Sequence, residues 1–285
     1  MAYKGLAIKE MVKITTFYSF FCRHYEHTYR FLGETHNFWE CVLVRKGKIS
    51  VSADERIYQL QENEMIFHKP LEMHKFNIES PEGANLMIFS FALEGEGADH
   101  LKNKVYMLNG EQRNLAESAL EFVLNTLETD RGFYSFDENL KNHFSYGTAP
   151  QMLATKISEL FLSLLKSNNI SSSFESYEAT VFKTAVDYMN DHIHRNVNIE
   201  ELAAACHLSA SSIKRLFKKY AGIGVHSYFL ALKIKTATKL LQSGVSVTDT
   251  AAKLGFSSQG YFSATYKRET GISPTEEIKN INNNL

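Results

Sequence analysis

The spacing of apolar residues changes character along this chain. Over residues 1–98 the apolar positions fall in short β-prone runs, at Phe38–Val44, Lys48–Ala53, Arg56–Leu60 and Met65–His68, with further runs at Lys75–Ile78 and Leu86–Leu93. Turn formers separate them: Lys46-Gly47, Asp54-Glu55, Glu62-Asn63, Pro70 and Pro81-Glu82-Gly83. Many short strands at close spacing predict an all-β sandwich or barrel. A barrel of this size encloses a pocket for a small ligand. Beyond residue 110 the period becomes helical. Gln112–Thr129 carries Leu115, Ala119, Phe122, Val123 and Leu127 on one stripe, and Met152–Leu165 carries Leu153, Ile157, Leu160, Phe161 and Leu164. Leu153, Ile157, Leu160 and Leu164 alternate by four, three and four, the spacing of a short coiled-coil seam, which predicts pairing with a second copy. Packing of both helices on the barrel is the alternative. Arg131–Pro150 has no period and reads as a loop. Ser167–Ser176 (SNNISSSFES) reads as a polar linker, and from there to Lys279 the pattern is helical.

Composition adds the partner class. A length of 285 residues suggests two domains, and 44% hydrophobic with 22% charged residues excludes a wholly disordered chain. The formal net charge is only −1, but from Cys206 onward there are eleven basic and four acidic side chains, a net of +7. A basic end on a near-neutral chain points to a polyanionic partner for that end. Cys22, Cys41 and Cys206 show no CxxC spacing, so neither a disulfide framework nor a thiolate zinc site is expected. Ile14–Cys22 is too short to cross a bilayer, and no secretory leader pattern precedes it; a cytoplasmic protein without a membrane partner is expected.

The basic end holds a helix-turn-helix pattern. Leu202-Ala203 lie on a first helix, Cys206-His207-Leu208 form the turn, and Ser209 is an N-cap for a second helix, Ala210–Tyr220. His207 stands where such turns often place glycine, and His tolerates left-handed backbone better than most side chains. On the second helix Ile213, Leu216, Phe217 and Tyr220 share one face, while Ser211, Lys214, Arg215 and Lys218 share the opposite one. A cationic exposed face suits a DNA major groove. The pattern then repeats: Ala203 matches Ala251 and His207 matches Gly255. After one inserted residue, Ser209 matches Ser258, Ile213 matches Phe262, Phe217 matches Tyr266, Lys218 matches Lys267 and Gly222 matches Gly271. Between the copies Val225–Gln242 reads as a helix with Leu230, Ile234, Ala237 and Leu241 apolar and Lys233, Lys235 and Lys239 exposed. Its 18 residues span about 27 Å, which would set the two reading helices about 34 Å apart, one turn of B-DNA.

In the first half, His36-x-x-x-Glu40, Gly47 and Pro70-x-x-x-His74 resemble the cupin motifs of sugar-responsive regulators. A cupin metal site usually adds a His two residues before His36, where this chain has Glu34, so no metal is expected. His36, Glu40 and His74 are instead candidate contacts to an organic ligand, with Trp39 as a surface on which a sugar ring could stack.

Residues 233–278, KIKTATKLLQSGVSVTDTAAKLGFSSQGYFSATYKRETGISPTEEI, resemble the signature of the AraC/XylS family of transcription regulators. The resemblance implies an α+β multidomain chain: an N-terminal cupin-like β-barrel with a helical dimerisation segment, and a C-terminal all-α domain with two helix-turn-helix motifs. The boundaries read as 1–98 for the barrel, 99–170 for the helical segment, 171–178 for the linker and 179–280 for the DNA-binding domain. It implies a sequence-specific regulator, an activator responsive to a small molecule such as a sugar. Its partners would be double-stranded DNA, RNA polymerase and a second copy of the chain, with no cofactor and no enzymatic activity. The first reading helix would offer Ser211, Lys214, Arg215 and Lys218. The second would offer Gln259, Tyr261, Ser263, Lys267 and Arg268, with Gly260 and Ala264 where the family often has longer side chains. The competing classes are a metal-dependent cupin enzyme using His36, Glu40 and His74, and a regulator that takes its signal from a protein through the barrel.

Overall fold

The computed structural model describes residues 5–29, 31, 33–127, 133–135, 148–167, 170–171 and 177–282. The first half is two packed sheets. Its strands are β1 (Lys13–Tyr25), β2 (Trp39–Lys46), β3 (Lys48–Ala53), β4 (Arg56–Gln61), β5 (Glu64–His68), β6 (His74–Ile78) and β7 (Ala84–Glu94), followed by the short β8 (Val105–Met107), β9 (Phe133–Ser135) and β10 (Ile170–Ser171). The larger sheet runs β10-β8-β5-β2-β7-β1-β9 and the smaller β4-β3-β6. The pairing within both sheets is antiparallel. Side chains alternate across each strand. Val42, Val44, Ile49, Val51, Phe76, Ile78, Leu86 and Ile88 therefore fill the space between the sheets. The intervening residues Trp39, Cys41, Leu43, Met87, Phe89 and Phe91 fill a second core on the outer face of the larger sheet.

Helices cover that outer face. After the single turn α1 (Ala98–Leu101) come α2 (Gly110–Leu127) and α3 (Ala149–Leu165). The seam expected for dimerisation is a barrel contact instead. Leu153, Ile157, Leu160 and Leu164 are at most 1% exposed, and they share the core with Trp39, Phe89 and Phe91. A stripe of four aliphatic residues fits a partner helix or a greasy sheet equally, and here the aromatic sheet face takes it. Two further differences from the pattern are strands. β1 was not expected as one, and β8, inside the stretch read as helical, pairs with β5. The loop read at Arg131–Pro150 and the linker at 171–178 lie mostly outside the described residues.

The second half is helical: α4 (Tyr177–Asp191), α5 (Ile199–Ala205), α6 (Ala210–Tyr220), α7 (Val225–Gln242), α8 (Val247–Lys253), α9 (Gln259–Thr270) and α10 (Pro274–Asn282). Most of them start at a side-chain cap. The side chains of Asn198, Ser209, Ser246 and Ser258 accept backbone N–H groups at the starts of α5, α6, α8 and α9. Two cores result. Phe182, Leu202, Ile213, Phe217 and Tyr228 pack the first motif, and Ile234, Leu241, Ala251, Phe262 and Tyr266 pack the second. Ile57 and Met73 of the barrel join the first of these cores, so the smaller sheet rests directly on the first motif.

Candidate functional site

The two helix-turn-helix motifs depend on their turns. His207 adopts φ +54° and Gly255 φ +64°, the left-handed backbone that carries the chain from one helix to the next. A Cβ at Gly255 would lie 2.3 Å from the His194 carbonyl oxygen, so glycine is required there, whereas the exposed His207 meets only the conformational cost. Beyond the turns the faces divide as the spacing predicts. Ile213, Leu216, Phe217 and Tyr220 are buried on α6, and Ser211, Lys214, Arg215 and Lys218 are exposed. On α9 Phe262, Thr265 and Tyr266 are buried, while Gln259, Gly260, Tyr261, Ala264, Lys267 and Arg268 are exposed and Ser263 is half-buried.

These candidate contacts differ in how free they are. Neither Lys214 nor Arg215 makes a hydrogen bond or ion pair to a described residue, and both project from the middle of α6. Ser211 Oγ lies 2.9 Å from the cap hydroxyl of Ser209. Lys218 Nζ donates to the Gly222 carbonyl at 2.8 Å, folding over the end of its own helix. Gln259 Oε1 accepts from Thr248 at 2.9 Å, Tyr261 is 50% exposed, and Arg268 pairs with Glu269. The connecting helix α7 departs from the expected pattern. Lys233 is buried and donates to the Leu254 carbonyl at 2.7 Å, and Lys235 pairs with Asp54 of the barrel; Lys239 alone of the three is exposed. Burial lowers the Lys233 pKa, because the ammonium gives up water for one carbonyl and the faces of Phe229 and Phe256.

The barrel brings three of its four sequence candidates together. His36 Nε2 lies 3.8 Å from one Glu40 oxygen, and His74 Nε2 lies 3.3 Å from the other. Trp39 is not among them. It neighbours Glu40 on β2, so its side chain takes the opposite sheet face and is buried in the core beneath α2 and α3. Glu34, read from sequence as the residue that breaks a metal set, completes the group. Its backbone pairs with His74 in a two-bond bridge of 2.9 and 3.0 Å, and its carboxylate lies 3.6 Å from His74 Nε2. One donor atom from each of Glu34, His36, Glu40 and His74 lies within 4.8 Å of all the others. The signal was present in sequence, since residues 34 and 36 of an extended segment share a face.

The imidazoles are oriented for an acceptor role. His36 Nδ1 meets the Phe38 carbonyl at 3.0 Å and His74 Nδ1 meets the Glu72 carbonyl at 3.1 Å, so each Nδ1 carries the proton. Both Nε2 atoms are buried and meet no partner in hydrogen-bond geometry, although carboxylates stand close by. Burial drives the His74 pKa down, yet Glu34 and Glu40 outweigh it and push it up to about 10. Burial works against the Glu40 carboxylate too, but His36 and His74 hold it well below the usual carboxylate range. In a protein without a bound cation, the His74 proton thus offsets the two carboxylates. Two carboxylates and two Nδ1-anchored imidazoles also fit a divalent first-row metal, for which a backbone carbonyl behind each ring is the usual support. Behind the group, His68 stacks on His74 at 4.2 Å and bonds Glu72 at 2.8 Å, and Glu72 in turn holds Lys69.

Two family models match this chain: an AraC-like ligand binding domain over residues 17–101 and a helix-turn-helix domain over residues 202–280. The chain belongs to the AraC family of transcription regulators. It is a DNA-binding regulator with an N-terminal ligand-binding domain. Among AraC-type relatives, the "Uncharacterized HTH-type transcriptional regulator YfiF" of Bacillus subtilis is 22% identical over 275 residues, covering 92% of this chain and 83% of its own length. The regulatory protein PocR of Salmonella typhimurium is 31% identical over 103 residues, 36% of this chain and 34% of its own. The transcriptional activator RhaS of Escherichia coli is 30% identical over 116 residues, 40% of this chain and 41% of its own. The matches to PocR and RhaS thus span well under two thirds of those proteins. Among solved structures, ToxT of Vibrio cholerae aligns with 94% of this chain and 95% of its own at 12% identity, with a TM-score of 0.39. Among the described residues of this AraC-family chain, no helix is long and apolar enough to cross a membrane.

Proposed function

We propose that this chain is an effector-responsive transcription activator that reads one DNA site with two unequal helices. The observation that carries the reading is the division of α6, with Ile213, Leu216, Phe217 and Tyr220 buried and unpaired Lys214 and Arg215 on the opposite face. Arg215 reads a guanine and Lys214 and Ser211 support it, since guanidinium pairs bidentately with guanine O6 and N7. On α9 the positions equivalent to Ser211 and Arg215 are Gly260 and Ala264, which offer no donor. Gln259, Tyr261 and Ser263 make the remaining base contacts, and Lys218, Lys267 and Arg268 hold phosphates. The effector site centres on Glu34, His36, Glu40 and His74, whose carboxylates and imidazoles suit a hydroxyl-rich ligand such as a sugar or a metal ion.

The domain organisation that goes with this reading is a sensing barrel at 1–98, a helical segment at 99–170, a linker at 171–178 and the DNA-binding domain at 179–280. A second copy docks on the outer faces of α2 and α3, where Leu124, Met152 and Leu162 are 42–48% exposed. The activator role and RNA polymerase as a partner rest on family analogy and on the relative named as an activator. The test is selection of binding sites from random duplexes with the full chain, repeated across salt concentrations. A selected motif with one strongly specified half and steep salt dependence supports the reading. Unselective binding, or none, overturns it.

A further inference from the structure

The face of the smaller sheet that looks away from the barrel interior holds the end of the first reading helix. Lys75 Nζ donates to the Lys218 and Lys219 carbonyls at 3.1 and 2.8 Å, two of the carbonyls that a helix C-terminus leaves unpaired. Ser52 Oγ donates to the Tyr220 carbonyl. Gly33 passes so close that a Cβ there would lie 2.8 Å from the Ala221 carbonyl oxygen. An ammonium at this end of α6 also meets the negative pole of the helix dipole. Lys75 is buried, so this is a seated contact and not a surface pairing.

Two of the three gripping residues, Lys75 and Gly33, are chain neighbours of residues in the Glu34/His36/Glu40/His74 group. The pleat turns His74 inward and Lys75 outward on β6, and Gly33 precedes Glu34 on the segment bridged to His74. Ser52 pairs with Lys75 across β3 and β6. The group and the grip are therefore two faces of one small patch, Gly33-Glu34 against His74-Lys75. Two observations at the group point to a cation: the His74 Nε2, buried and without a hydrogen-bond partner, and the two carboxylates it faces at 3.3 and 3.6 Å.

We propose that a divalent first-row metal ion held by Glu34, His36, Glu40 and His74 fixes the Gly33-Glu34/His74-Lys75 patch and so tightens the barrel's hold on the C-terminal end of α6. This deepens the effector site proposed above by naming its ligand class and the helix that reads it. With the ion, side chains tie Glu34 to His74 in addition to their backbone bridge. Without it, the side chains of Glu34 and His74 face each other across 3.6 Å with no shared ion to draw them together, and Lys75 and Gly33 move with the two segments. The output is the position and stiffness of the helix that carries Lys214 and Arg215.

The experiment uses the full chain stripped with a chelator and then given Zn²⁺, Mn²⁺ or Ni²⁺ singly. Bound metal per chain is measured after gel filtration, and amide hydrogen exchange is followed over residues 214–222. The wild type is expected to retain about one ion and to exchange about tenfold more slowly in that segment when loaded. Glu34→Ala is expected to lose the ion and the protection. Lys75→Met is expected to keep the ion and lose the protection. A wild type that retains none of the three ions overturns the metal site. A wild type that loads but exchanges alike with and without metal overturns the coupling, as does protection that survives in Lys75→Met. Either failure leaves the DNA-site selection untouched, so the reading of the chain as an effector-responsive activator is judged separately.

Discussion

Replacing Leu160 by alanine distinguishes a barrel helix from a dimer seam. Leu160 is fully buried, and it lies among Leu153, Ile157, Phe161 and Leu164, all at most 1% exposed. Phe161 meets Phe67 edge-on, stacks on Phe89 and tilts against Phe91 at 5.0–6.1 Å, so rigid rings border the space that the substitution would open. Leucine-to-alanine changes at such sites cost about 2–5 kcal/mol, and poor collapse around aromatic rings favours the upper half of that range. Trp39 is the only tryptophan and sits in the same core, so its fluorescence reports the melting of this half of the molecule. With a urea dependence of about 2–3 kcal/mol/M, the midpoint should fall by about 1–2 M. Light scattering of folded Leu160→Ala should match the wild type, whereas Leu162→Glu, on the 42% exposed face, should weaken self-association with little change in midpoint. The reasoning fails if Leu160→Ala dissociates an oligomer while the Trp39 transition stays within about 0.3 M of the wild type.

Substitutions at three positions probe the DNA-binding half. Arg215→Ala should relax base preference in one half of the selected site, at a cost of about 1–3 kcal/mol of discrimination, as read by binding-site selection. Lys267→Ala should weaken binding about equally across sequences and reduce the salt slope by about one unit, as read by titrations at several ionic strengths. At the turn, His207→Val should destabilise the first motif by about 1–2 kcal/mol, because a β-branched residue must take φ +54° there, and thermal melts of His207→Gly should stay near the wild type.

The second half was legible because its signals are local. The bounds of α6 and α7 coincide with the expected Ala210–Tyr220 and Val225–Gln242, since a serine cap, a turn and a 3.6-residue stripe all lie within a few positions of one another. β1 escaped notice because its pairing with β7 slips between Ile14 and Thr16 and again between Phe17 and Ser19. Each slip breaks the two-residue alternation by which a strand is recognised. In the barrel site His36, Glu40 and His74 were legible as chemistry, but Glu34 was read for what it replaced and not for the carboxylate it brings. The error at Lys233 and Lys235 has another source. A lysine on a helical stripe reads as solvated, and the carbonyl of Leu254 and the carboxylate of Asp54 that receive these two lie 21 and 181 residues away in sequence. No local period encodes such partners.

Helix α7 belongs to both helix-turn-helix cores. Tyr228 and Leu232 are buried in the first, Ile234, Ala237 and Leu241 in the second, and Lys233 fastens the helix to the end of α8. A strut seated at both ends has no joint at which to turn. An operator read by both motifs, as proposed above, must therefore present its two halves at one fixed angular phase. An added base pair between them advances the second half by about 34–36° around the duplex, and a fixed strut cannot follow that rotation. The duplex itself must then untwist, and how readily the uncontacted base pairs allow this becomes part of what the protein selects.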